Sequence, residues 1–232
     1  DQVGLPGHLN RDADDRHVPA ARDAVAQDAG DLRHASRGQQ AVQQGNYTEA
    51  ERLFLVAVHK AEEFGLHDRR VAVSLSQLAQ VYAGQGKHVE AEPVYLQALK
   101  IYQEVHGEDH PDVAATLNNL GVLHRMYGQY AEADPLLTRA LHIKERLLGP
   151  EHPDVALSVS NLAQLRVSQG QPERAESLYR RALSIREKAS GPSHPEVART
   201  LEDLANVLKK LGRKDEAVSL EVRARELRAA RS

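Results

Sequence analysis

Histidine is the first residue type in this chain that invites a chemical reading, with twelve among 232 residues and no cysteine beside them. Three of them, His110, His152 and His194, each open a His-Pro-Asp/Glu-Val-Ala run, and the runs stand 42 residues apart. Histidines one such interval apart belong to separate places in a fold and do not converge on an ion. No His-Glu-x-x-His occurs, and no His, Asp and Glu set stands out at the spacing of metal ligands. No metal, no cofactor and no catalytic residue is therefore expected. His124 stands where Tyr82 and Leu208 stand one interval away, which suggests packing against the next helix. Gly84-Gln85-Gly86-Lys87 lacks the Walker spacing and the hydroxyl residue after Lys, so it reads as a turn. Lys209, Lys210, Arg213 and Lys214 are the only dense basic patch. Positive charge at a helix C-terminus is favourable on its own. With a net charge of −3 and no aromatic residue near the patch, nucleic acid is not an expected partner.

A second set of residues can bind without reacting. Gln77, Gln80, Asn118, Asn119, Asn161, Gln164 and Asn206 carry amides that both donate and accept. Ser160 adds a hydroxyl, while Arg125 and Lys209 are cations able to hold a carboxylate, Arg125 through two parallel hydrogen bonds. Glu202 and Asp203 bring the opposite charge to the last of these groups.

The elements that must carry these residues follow from one period. Laying 113–154 over 155–196 matches 18 of 42 positions, and self-similarity at a fixed period marks a stacked repeat. Gly45, Gly86, Gly128, Gly170 and Gly212 fall at matching places, spaced 41 once and then 42. Each follows an amphipathic run, where a helix ends readily in a left-handed residue. Before Gly128 the apolar Val113, Leu117, Leu120 and Leu123 recur at spacings of four and three. After it, Ala133, Leu137, Ala140, Leu141 and Ile143 mark a second helix. Ala50, Ala91, Ala133, Ala175 and Ala217 share one position, and Ala57, Ala98, Ala140, Ala182 and Ala224 another, seven residues on. Small residues at that interval let a neighbouring helix come close. Pro111, Pro153 and Pro195 suit the first helical position, followed by an acid at the positive end of the helix dipole. Histidine before them has no standing as a preferred cap. Pro93 and Pro135 fall inside second helices and are expected near the first turn or at a mild kink.

Two helices per unit, joined at Gly and packed through paired Ala, resemble the tetratricopeptide repeat. Leu117-Asn118-Asn119-Leu120-Gly121, Tyr130-Ala131-Glu132-Ala133 and Leu148-Gly149-Pro150-Glu151-His152-Pro153-Asp154 are similar to the 42-residue kinesin light chain type. The likeness covers about 31–228 and is weakest in the first unit, where His34 and Arg37 replace Leu. It implies an all-α, right-handed α-solenoid of about five helix-turn-helix units: 31–70, 71–112, 113–154, 155–196 and 197–232. It also implies a concave groove, lined by the first helices, that holds a peptide segment of a partner protein. Gln77, Gln80, Asn118, Asn119, Arg125, Ser160, Asn161, Gln164, Asn206 and Lys209 are the expected groove residues. The heptad region that joins a light chain to its motor is not present, so cargo transport is not carried over.

Residues 1–30 are rich in Gly, Pro and Asp and poor in large apolar side chains, so an unordered lead-in with at most a short helix over 20–29 is expected. The N-terminus shows neither an initiator Met nor an apolar signal stretch, which suggests a fragment or a processed chain. No run approaches the roughly 18 apolar residues a membrane helix needs, and a cytoplasmic chain with no membrane partner is expected. Function divides into two readings. One is a non-catalytic interaction scaffold, the other the sensor or regulatory arm of a larger signalling protein with an ATPase or protease domain. The polar final helix, 215–231, is expected to cap the stack, with a monomer or weak self-association through that helix.

Overall fold

The computed structural model describes residues 34–229. The lead-in over 1–30, including the helix expected over 20–29, lies outside the described residues. Within them every regular element is a helix: α1 (34–43), α2 (Tyr47–Glu62), α3 (Arg69–Gly84), α4 (His88–His106), α5 (Pro111–Met126), α6 (Tyr130–Leu148), α7 (Pro153–Ser168), α8 (Pro172–Ser190), α9 (Pro195–Lys210) and α10 (Lys214–Ala229). Odd and even helices form hairpins, and each hairpin packs on the next, giving an all-α solenoid.

The local causes are the same in each hairpin. In α5, Pro111 takes the first turn, and Val113, Ala114, Leu117, Leu120 and Leu123 turn inward. The helix ends at Gly128, whose φ of 77° spares the Cβ clash that an L side chain meets there. The Gln129 N–H then donates to the His124 carbonyl at 2.9 Å, closing a Schellman-type turn. The return helix α6 buries Ala133, Leu137, Ala140, Leu141 and Ile143. None of the ten paired alanines is more than 1% exposed. Pro93 and Pro135 each stand sixth in α4 and α6 on the exposed side, where water can take the carbonyl their missing N–H leaves free.

The capping histidines gain an explanation. His110, His152 and His194 each accept, through Nδ1, the backbone N–H two residues on, at 3.2, 3.2 and 3.3 Å. Nδ1 lies as many bonds from Cα as the Oδ1 of Asn or Asp, so the imidazole fills the role of an Asx cap. Asp68, one interval before His110, caps α3 in the same way, accepting from Arg70 at 2.8 Å.

Ion pairs stitch the seams between hairpins. Glu51, Asp134 and Glu176 occupy one register and reach forward to Lys87, Arg166 and Arg213 at 3.0, 2.6 and 2.7 Å. Glu92, in the same register, meets His124 at 3.8 Å. His124 is itself buried and bonded to Gln129, in keeping with packing against a neighbouring helix.

Candidate functional site

The odd helices carry the expected groove residues to one wall, but not all of them to its open surface. Gln80 and Asn119 meet in a cavity of about 320 Å³ whose other walls are Val42, Tyr47, Ala83, Gly84, Tyr95, Val122, Leu123 and Met126. Met126 is 59% exposed, a flexible thioether at the rim. Gln77 is half-buried nearby on α3, its Oε1 enclosed without a hydrogen-bond partner. Arg125, Gln164 and Asn206 meet in a second cavity of about 470 Å³, with Val167, Ser168, Asp203, Val207 and Lys210, floored by buried Tyr179.

Four expected residues are placed otherwise. Asn118 is 6% exposed, and its Oδ1 accepts from Asn161 Nδ2 at 2.9 Å, so this amide pair ties α5 to α7. Ser160, equally buried, accepts from Arg186 Nη1 at 2.9 Å. Lys209 pairs with Glu221 of α10 and leaves the wall. For Asn118, Ser160 and Asn161 the cause is that an odd helix packs on its own hairpin partner and also on a neighbouring odd helix. It therefore buries a wider arc than its leucines mark. Lys210, expected only as part of a basic helix end, lines the cavity, whereas Lys209 does not. Positions 203, 206 and 210 are separated by three and four residues and share a helix face, and that spacing was the available signal.

Charge in the second cavity is unbalanced. Among the described residues Arg125 and Lys210 join no ion pair, and Arg125 Nε is buried without a partner. Burial pushes the Asp203 carboxyl above its ordinary range, an effect the Arg199 and Arg186 guanidinium groups oppose. Burial also raises the Tyr179 phenol, with Asp203 adding to the rise and Arg125 among the cations opposing it. Such a wall offers amide donors and acceptors, two free cations and one desolvated acid to an incoming chain. A larger cavity of about 620 Å³ opens at the last hairpin, where Glu202 already binds Arg228 and Glu196 binds Arg186.

The histidines include one grouping that their spacing does not announce. The sequence pattern holds no obvious ligand set, yet the short α4–α5 turn brings His106, His110 and Asp112 together, with one donor atom from each within 4.8 Å of the others. The signal was the run His106-Gly107-Glu108-Asp109-His110-Pro111-Asp112, in which a helix end, a tight turn and a helix start fold the three side chains back on one another.

A family profile for the tetratricopeptide repeat matches residues 70–146, 128–188 and 160–230, together more than half of the chain. Among solved structures, BtubC (BKLC) from P. vanneervenii is similar over 92% of this chain and 85% of its own, with 28% identity and a TM-score of 0.79. A putative kinesin light chain with nearly identical TPR-like repeats from Podosopora anserina is similar over 87% of this chain and 97% of its own, with 25% identity and a TM-score of 0.71. A Rap protein complexed with competence and sporulation factor shares the fold, with 20% identity over 84% of this chain and 53% of its own and a TM-score of 0.72. No curated protein matches the chain.

Proposed function

Because the chain belongs to the tetratricopeptide repeat family, in its kinesin light chain-like form, we propose that it is a non-catalytic scaffold whose concave wall holds a peptide segment of a partner protein. The observation that carries this reading is the pair of adjoining cavities on the odd-helix wall. One is bordered by Tyr47, Val122 and Met126, the other by Arg125, Gln164, Asn206 and Lys210. An enzyme would need a nucleophile or base oriented by a third group, whereas these side chains are suited to hold a backbone and its charges. Gln80 and Gln164 can bond main-chain amides irrespective of the ligand's sequence. Arg125 is half-buried, its Nε has no hydrogen-bond partner and it joins no ion pair among the described residues, so part of its desolvation is already met before a ligand arrives. No described helix is long and apolar enough to cross a membrane, and the proposed setting is the cytoplasm.

The test is a partner segment identified by cross-linking and titrated against purified chain. Arg125→Ala combined with Lys210→Ala should weaken binding about tenfold or more, since a hydrogen bond to a charged group contributes about 1.5–3 kcal/mol. Glu226→Ala, on exposed α10, should leave it unchanged. Equal affinity across all three proteins would remove the wall as the binding surface.

A further inference from the structure

We propose that His106, His110 and Asp112 form a binding site for a divalent transition metal ion of the zinc class, clipping the end of α4 to the start of α5. His106 Nε2 lies 3.8 Å from Asp112 Oδ2, and His110 Nδ1 lies 3.7 Å from the same oxygen. Two ligands on tetrahedral zinc, at about 2.0–2.2 Å from the ion, stand roughly 3.3 Å apart, so each histidine closes on Asp112 by about half an ångström, while the two histidine nitrogens lie within 4.8 Å of one another. His106 Nε2 is enclosed and has no hydrogen-bond partner. The two imidazoles stack with centroids 3.9 Å apart, and because each nitrogen lone pair lies in its ring plane, one ring must turn for both to meet a single ion. His110 accepts the Asp112 N–H through Nδ1, which leaves the proton on Nε2; ligation through Nδ1 uses that same lone pair, so the ion takes the place of the capping hydrogen bond.

The protein supplies its own comparison. The turn before α7 repeats the cap, with His152 Nδ1 3.9 Å from Asp154 Oδ2. There the residue matching His106 is Leu148, and before α9 it is Ser190. Capping accounts for His110 and Asp112 but gives no role to His106, whose presence turns a helix cap into a three-ligand set. Arg69 opposes the ion: its Nε and Nη2 both donate to Asp112 Oδ2 at 3.2 Å. Its side chain is 56% exposed and free to move into solvent as the metal takes the oxygen. The three side chains are each partly exposed, at 22, 33 and 27%, so water can supply a fourth ligand, as in open zinc sites.

Chelator-treated, tag-free protein titrated with Zn²⁺ by calorimetry and with Co²⁺ by visible absorption tests the site. One ion should bind per chain, Co²⁺ should show the d–d bands of tetrahedral coordination, and Zn²⁺ should raise Tm. His106→Leu, which installs the side chain found at 148, should keep the helical circular dichroism and weaken binding at least about tenfold. His152→Asp should bind as wild type does. Absence of stoichiometric binding, or equal binding by wild type and His106→Leu, would overturn the proposal.

Discussion

An imidazole nitrogen can do the work of a carboxylate oxygen at a helix start, and this accounts for the recurrence of His110, His152 and His194 better than any catalytic reading. Their register is that of Asp68, so the interval itself held the answer, although propensity rankings that favour Ser, Asn and Asp obscure it. His152→Ala should lower stability by about 1 kcal/mol, the usual cost of losing a cap, while His152→Asp should retain most of it. Chemical denaturation of the three proteins distinguishes a cap from a side chain that merely fills space, since only the former role is restored by Asp. The proposed metal site shows the same lesson in reverse. His106 was visible in the sequence, but only the turn geometry shows that it faces His110 and Asp112.

Between helices, Gly121 stands where a side chain has no room. A Cβ placed there would lie 2.6 Å from Leu137 Cγ and 3.3 Å from the Ala133 carbonyl oxygen. The corresponding positions are Ala79, Ala163 and Ala205, opposite Tyr95, Tyr179 and Glu221, so the pair rather than the single residue sets the spacing. Gly121→Ala should therefore destabilise by about 1 kcal/mol, overpacking of roughly 1–3 kcal/mol outweighing the helix propensity gained. Combining it with Leu137→Ala should cost less than the sum of the two changes, as thermal melts of the cycle would reveal. The helices themselves were legible because a 3.6-residue apolar rhythm and paired alanines record them directly. The groove was only partly so. Asn118, Ser160 and Asn161 differ from their neighbours by one step of about 100° around the helix, and whether that step meets solvent depends on the next odd helix.

Across the whole molecule, the acid-to-base pairs at each seam tie one hairpin to the next and make the array sensitive to acid. The Arg166 hydrogen bond holds the Asp134 carboxyl below its ordinary value of 3.8, with desolvation opposing. A carboxyl depressed in the folded state adds stability above its unfolded value and loses it as pH falls through the folded one. Asp134 is about a third exposed, so the contribution is under about 1 kcal/mol. Asp134→Asn should lower Tm at about pH 7, and the difference should close only as pH falls below 3.8 and through the folded value, where both side chains become uncharged. Melting curves across that range check it, and a difference that persists in acid would mean that the ion pair is not its source. Because the hairpins touch mainly their immediate neighbours, there is no central core to resist deformation. Tension applied at its two ends would therefore load the seams in series, one hairpin junction after another, before any helix had to unwind.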